Sequence, residues 1–68
     1  MSYSASNIPE NLRRRRIVRG MSAINLANIL GVGAHFVGKL ERGDTVPSVP
    51  RLLDLAKALG VTPNELLK

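Results

Sequence analysis

The sequence predicts a small all-α protein, and three observations support that fold class. The chain has 68 residues with no cysteine, one Tyr, one Phe and no Trp, so any core must be aliphatic. Several leucine-rich stretches place their apolar residues at helical spacing, with a capping residue before them and a glycine after them. No stretch alternates apolar and polar residues as a strand would. We therefore expect one compact five-helix domain.

The domain is expected to occupy residues 7–68, after a polar tail. Residues 1–6 are small and mostly polar, which predicts a disordered N-terminal tail. In the first helix, Asn7 and Glu10 have the spacing of a capping box, and Pro9 suits a first helical turn. Gly20 is expected to end this helix. Its apolar side is predicted to contain Leu12, Ile17 and Ile8.

The second and third helices are expected to be short and joined by a tight turn. Ser22 is the predicted cap of the second helix, and Gly31 its end. The turn covers residues 31–33, and the third helix residues 34–42, closed by Gly43. The inward side chains are predicted to be Leu26, Ala27 and Leu30 on the second helix and Val37 and Leu40 on the third.

The fourth and fifth helices repeat the same signals. Ser48 is the expected cap of the fourth helix, with Pro50 in its first turn and Gly60 at its end. Its apolar stripe is predicted to comprise Leu52, Leu53, Leu55, Ala56 and Leu59. Thr62 and Glu65 form a second potential capping box, which opens a fifth helix through Leu66 and Leu67.

The charge favours a polyanionic partner. The formal net charge is +5, and Arg13–Arg16 are four consecutive basic residues. A small basic domain most often binds nucleic acid. No apolar run approaches the roughly 18 residues of a membrane span, and the first residues do not resemble a signal peptide. We therefore expect a soluble, cytoplasmic protein that does not bind membranes.

Catalysis is not expected. His35 is the one histidine, there is no cysteine, and no paired carboxylates stand at a useful spacing. Acid–base chemistry and metal ligation both lack enough side chains of the required kinds. The sequence therefore predicts neither an enzyme nor a bound metal or cofactor.

The second and third helices have the organisation of a helix-turn-helix. A glycine in the turn permits the positive φ that sets two helices at a steep angle, so that the second can enter the major groove. From Leu12 to Leu67 the chain resembles the phage Cro/repressor-type (XRE-like) helix-turn-helix family. The residues that carry this resemblance are Arg16, Gly20-Met21-Ser22, Leu26-Ala27, Leu30-Gly31-Val32, Leu40-Glu41-Arg42-Gly43, Pro47-Ser48, Leu52, Leu55–Val61 and Glu65-Leu66.

The resemblance implies a λ-repressor-like fold and a set of residue roles. In the family, arginine at the position of Arg16 pairs with glutamate at that of Glu41, which ties the first helix to the recognition helix. Arg42 matches a position that often contacts the DNA backbone, and Ser22 matches the cap of the helix that lies across it. The family is encoded by bacteria and their phages, and its members commonly bind a two-fold operator as dimers.

The expected reading surface departs from the family pattern. Ala23 and Ala34 stand where glutamine is usual, and Asp44 follows the third helix where the loop is normally basic. Ile24, Ile29 and Phe36 are apolar at positions that are usually charged or polar. Polar contacts to base edges are then left to His35 and Lys39, while Ala34 can touch a thymine methyl.

Two hypotheses follow for the partner. The first is sequence-specific binding of double-stranded DNA by a small regulator, dimeric through Val61–Lys68, with half-sites about 34 Å apart. Its predicted DNA-binding residues are Arg16, Ser22, Ala23, Gly33, Ala34, His35, Phe36, Lys39 and Arg42, with Arg51, Lys57 and part of Arg13–Arg16 on phosphates. The alternative is an antirepressor-like or antitoxin-like protein that binds a repressor-type protein or its own copy. Its apolar contact surface would comprise Ala23, Ile24, Ile29, Ala34, Phe36 and Val37.

Overall fold

Five helices make up the fold. A computed structural model describes residues 7–68, and the predicted tail at residues 1–6 lies outside the described residues. The helices are α1 Ile8–Val18, α2 Ala23–Leu30, α3 Ala34–Arg42, α4 Val49–Leu59 and α5 Pro63–Leu67. Residues 7–68 contain no strand. The predicted all-α class and all five predicted helices are confirmed.

Three of the four predicted N-caps are confirmed. In each, the side-chain hydroxyl accepts a hydrogen bond from the backbone N–H three residues later, which stabilises the helix by about 1 kcal/mol. These bonds join Ser22 to Asn25 at 3.0 Å, Ser48 to Arg51 at 3.2 Å and Thr62 to Glu65 at 3.3 Å. At α2 and α5 the side chain three residues after the cap also accepts a hydrogen bond from the backbone N–H of the cap residue, which completes a capping box.

The predicted capping box at the start of α1 is wrong. Asn7 has helical backbone angles, φ −100° and ψ −4°, and its side chain makes no cap hydrogen bond. A side-chain cap needs the extended backbone seen at the other three caps. The Asn7 amide instead donates from Nδ2 to the carbonyl oxygen of Lys68 at 2.8 Å, which ties the start of α1 to the end of α5.

The core lies where all five helices meet. α1 packs on α3 and α5, and α2 packs on α3 and α4. One polar residue, Asn11, is buried with the apolar ones, and its Nδ2 donates to the carbonyl oxygen of Leu66 at 2.9 Å. The buried apolar side chains are Ile8, Leu12, Leu26, Ala27, Val37, Leu40, Leu52, Leu55, Ala56, Leu59 and Leu66.

Two predicted core residues are exposed instead. Ile17 is 55% exposed, because it lies five positions after Leu12 and therefore about 140° around the helix. Ile8, four positions before Leu12, occupies the core in its place. Leu53 is 52% exposed because it follows the buried Leu52 by one position, a rotation of about 100°.

The helices are short. No single helix within residues 7–68 is long and apolar enough to cross a membrane. α2 and α3 reach that length and composition only when counted together, and the chain bends by 112° between them.

Candidate nucleic-acid interface

The turn between α2 and α3 sets the angle of the two helices. Gly31 ends α2 in the left-handed region, with φ 72° and ψ 31°. A side chain at Gly31 would meet no atom within 4 Å, so the glycine is required by backbone conformation and not by crowding. Gly33 returns to extended backbone before α3 begins. The resulting bend of 112° lies within the range of about 90–120° for a helix-turn-helix.

An ion pair holds α3 against α1, as the resemblance implied. Arg16 donates from Nε to Oε2 of Glu41 at 2.6 Å and from Nη2 to Oε1 at 2.9 Å. Its Nη1 donates to the carbonyl oxygen of Met21 at 2.9 Å, in the turn before α2. The hydrogen bond to Glu41 raises the pKa of Arg16, although partial burial acts in the opposite direction. Arg16 therefore connects α1, the start of α2 and α3.

The two sides of α3 are chemically distinct. Val37 and Leu40 are fully buried on the inner side. At 100° per residue, His35 and Arg42 differ by only about 20° in direction, and both point away from the buried pair. The exposed side chains of α3 are Ala34, His35, Lys39 and Arg42, with Gly38 partly exposed between them. Three of these four side chains are polar or charged, and all four are exposed to solvent.

A second ion pair lies at the end of this exposed side. Arg42 donates from Nε to Oδ2 of Asp44 at 3.0 Å, and both side chains are more than half exposed. A Cβ at Gly38 would lie 3.1 Å from Nη1 of Arg42. The guanidinium of Arg42 therefore lies over Gly38, one helical turn back along α3.

Phe36 belongs partly to the core. It packs against the buried cluster and is only partly exposed. The guanidinium of Arg51, on α4, lies 5.6 Å from the centre of its ring, which is within cation–π distance. Arg51 also donates from Nη1 to the carbonyl oxygen of Leu30 at 3.5 Å. Phe36 and Arg51 thus contact each other within the protein.

The apolar surface proposed as an alternative contact site is divided. Val37, predicted to contribute to it, is fully buried and offers no surface. Ile24 and Ile29 are 62% and 58% exposed, but five positions apart on α2 they differ in direction by about 140°. Phe36 is turned towards the core, and Ala23 packs against it as well. Among the predicted members, Ile24, Ile29 and Ala34 are exposed.

Two of these interactions were not predicted from the sequence. Opposite charges on either side of Gly43 could have predicted the pair of Arg42 and Asp44, since a left-handed glycine turns the chain back at that point. The contact between Arg51 and Phe36 joins residues 15 positions apart, and no local pattern indicates it. The predicted cap Ser22 is present, exposed at the start of α2.

The fold and this surface place the chain in a known class. A helix-turn-helix domain family matches residues 10–67, and the chain belongs to that family. The chain is 36% identical over 59 residues to the HTH-type transcriptional regulator DdrOP3 of Deinococcus deserti. That match covers 87% of this chain and 46% of the regulator, so the chain spans less than half of this relative.

Solved structures show the same fold. The restriction-modification controller protein C.AhdI of Aeromonas hydrophila matches with a TM-score of 0.83 and 37% identity, over 88% of this chain and 91% of that one. The c2 repressor of phage P22, solved in complex with a synthetic operator, matches with a TM-score of 0.83 and 34% identity, over 90% and 92%. The predicted λ-repressor-like fold is confirmed.

Proposed function

We propose that this chain binds double-stranded DNA in a sequence-specific manner and acts as a small transcriptional regulator of the phage Cro/repressor type. The observation that carries the proposal is the division of α3. Its inner side is fixed by Val37, Leu40 and the pair of Arg16 and Glu41, so its outer side is presented rigidly to a partner. A helix presented in this way fits the major groove, which is about 12 Å wide.

The exposed residues of α3 suit base edges. Lys39 and His35 carry the donors that guanine O6 and N7 accept, and Ala34 can contact a thymine methyl group. Gly33 lets the backbone at the start of α3 approach the DNA closely. Phe36 lies beneath this exposed surface. It contacts Arg51, which also donates to the carbonyl oxygen of Leu30 at the end of α2, and in this way it supports the turn.

Backbone contacts would position the domain. The N-terminus of α2, capped by Ser22, directs backbone N–H groups at a phosphate, with Ala23 beside it. Lys57, Arg13 and Arg14 are exposed and add cationic surface, whereas Arg51 already contacts Phe36. Each phosphate neutralised steepens the salt dependence of binding by about 0.9 log units per log unit of salt.

A dimer would match a two-fold operator. The segment predicted for this role, Val61–Lys68, contains α5 and the turn before it. Leu66 is fully buried there, whereas Leu67 is partly exposed and could contact a second copy. Two domains joined in this way would place their α3 helices in successive major grooves, about 34 Å apart.

The charge and the comparisons favour DNA over the protein partner of the alternative hypothesis. Curated relatives of the chain are named HTH-type transcriptional regulators, and the P22 c2 repressor structure contains a synthetic operator. The divided apolar surface gives the alternative no continuous contact area. The net charge of +5 is spread over exposed residues that a DNA backbone would attract.

Paired NMR titrations test the proposal, one with random duplex DNA and one with the DNA upstream of the chain's own gene. We expect shifts at Ser22 and residues 33–42 with both, and tighter binding to the upstream DNA. Lys39→Ala should weaken upstream binding about tenfold more than random binding, because it removes a base contact. Lys57→Ala is the matched control and should weaken both equally. Absence of shifts with either DNA would refute the proposal.

A further inference from the structure

We propose that Arg42 reads a guanine base in the major groove, and that Gly38 and Asp44 hold its guanidinium in place for that contact. The inference rests on the proposed DNA-binding function. It assigns Arg42 a role in sequence selection, in contrast to the backbone contact that the family resemblance implies for this position. Three observations support it: the direction of the Arg42 side chain, the space beside it at Gly38 and its hydrogen bond to Asp44.

The first observation is the direction of the Arg42 side chain. Arg42 lies on the line of α3 that points directly away from the buried Val37 and Leu40, together with His35. Side chains in a helix lean towards its N-terminus, so a long side chain at the last turn covers the turn before it. In a groove-bound recognition helix the N-terminal part contacts the base edges. The guanidinium is therefore displaced towards the bases and away from the end of the helix.

The second observation is the space that Gly38 provides. A Cβ at this position would lie 3.1 Å from Nη1 of Arg42, which is tighter than nine in ten real contacts of a Cβ. The guanidinium thus occupies the place that a side chain would take on the outer side of α3. Glycine within a helix costs about 1 kcal/mol relative to alanine, and the backbone here is ordinary helix. Room for Arg42 is a physical reason for a glycine at a position where the fold does not need one.

The third observation is the orientation imposed by Asp44. Its carboxylate accepts from Nε of Arg42 at 3.0 Å, a bond that does not use the donors on the terminal Nη1 and Nη2. A guanidinium held at one edge still presents a planar pair of donors, which matches O6 and N7 of guanine.

The same carboxylate argues against a phosphate as the partner of Arg42. Arg42 and Asp44 together carry no net charge, so the pair gains little from the charge of a phosphate group. Asp44 would itself repel a phosphate close enough to bind Arg42. Guanine is neutral, so binding to its O6 and N7 depends on the geometry of the donors and not on net charge. Arg42 keeps that donor geometry when it is paired with Asp44. The contact is therefore directional and suited to a base edge.

Selection from a pool of duplexes with 20 random base pairs tests the role of Arg42. The wild-type chain should enrich a motif that contains guanine at a fixed position. Arg42→Lys retains the charge but lacks the planar pair of donors, so the preference for guanine there should fall about tenfold while other positions keep theirs. Gly38→Ala and Asp44→Asn should weaken the same position by a smaller factor. Arg19→Lys, at an exposed position to which no DNA contact is assigned, is the matched control and should leave every preference unchanged.

Salt titrations of Arg42→Ala on the enriched duplex separate a base contact from a phosphate contact. A base contact predicts an unchanged salt slope and a loss confined to guanine-containing sites. If Arg42→Lys keeps every preference and Arg42→Ala weakens all sequences with a slope reduced by about 0.9, Arg42 binds phosphate and the inference is wrong. If the wild-type chain binds duplexes but enriches none, base reading by Arg42 fails while DNA binding stands. Failure to bind any duplex overturns both.

Discussion

The inner and outer sides of α3 show how one helix can be constrained in two different ways. On the inner side, Val37 and Leu40 are fully buried, and Glu41 is bound by Arg16 on both carboxylate oxygens. On the outer side, Gly38 and Arg42 contact each other and solvent. The first set is determined by the rest of the protein. The second is determined by whatever the helix binds.

This difference separates stability from recognition. Changes on the inner side should lower the free energy of unfolding, because a close-packed core tolerates little loss of volume. Changes on the outer side should leave that free energy almost unchanged, or even increase it, while they alter DNA selection.

Leu40→Ala should have the largest effect. Removal of a fully buried leucine side chain costs about 2–5 kcal/mol, which is comparable to the whole stability of a small domain. Urea denaturation followed by circular dichroism should show the variant mostly unfolded at 25 °C. Leu53→Ala, at a position that is 52% exposed, is the control and should cost less than about 1 kcal/mol. Equal losses for the two variants would contradict the packing described here.

Glu41→Gln should come next, with a loss of roughly 3 kcal/mol, because it leaves the mostly buried guanidinium of Arg16 without a counter-charge. The double variant Arg16→Met with Glu41→Leu removes both charges and should recover most of the loss. Thermal unfolding of the single and double variants measures both effects. A double variant that is less stable than Glu41→Gln would show that the pair is stabilising in itself.

Gly38→Ala should change stability in the opposite direction. Alanine is favoured over glycine in a helix by about 1 kcal/mol, and the obstacle is the flexible end of Arg42. The melting temperature should rise by about 4–8 °C per kcal/mol gained. Gly31→Ala is the control and should lower it, because φ there is 72°. A lower melting temperature for Gly38→Ala would mean that the glycine has a structural role within the fold.

Glu65→Gln, outside α3, should have the smallest effect, and that effect should disappear in acid. Hydrogen bonds from the backbone N–H and hydroxyl of Thr62 lower the pKa of Glu65. A lowered pKa in the folded state contributes stability above the ordinary carboxylate pKa of about 4.3, which is lost as the pH falls through the folded value. The melting temperature of the variant should therefore fall less between pH 6 and pH 2 than that of the wild-type chain. A parallel decline in both proteins would show that this carboxylate contributes nothing.

The sequence predicts the helix caps and the turn before α3 well because each depends on local chemistry. Ser22 is predicted as a cap from its residue type, Thr62 from its spacing to Glu65, and Gly31 as a helix end from the backbone angle that a tight turn needs. Asn7 has the same local signal as those caps, yet its amide binds Lys68, 61 positions away. A local sequence pattern cannot show that a distant group, here the carbonyl oxygen of Lys68, binds the same side chain.

The candidate site was less predictable. The sequence identifies the outward residues of α3 and places opposite charges on either side of Gly43, but it does not indicate that Arg42 folds back over Gly38. Asp44 is predicted only as a departure from a normally basic loop, because a sequence shows the sign of a charge and not its neighbour. The contact of Phe36 with Arg51 likewise depends on how α3 and α4 meet in space.

The bond between Asn7 and Lys68 brings the first and last described residues together. Asn11, four residues further along α1, reinforces this by donating to the carbonyl oxygen of Leu66, two residues before Lys68. A short peptide linker from residue 68 to residue 7 could therefore close the backbone without distorting it, and new ends could be opened in the exposed loop at Gly43–Val46. Such circular permutants would let the order of the helices along the chain be changed while their arrangement in space is kept.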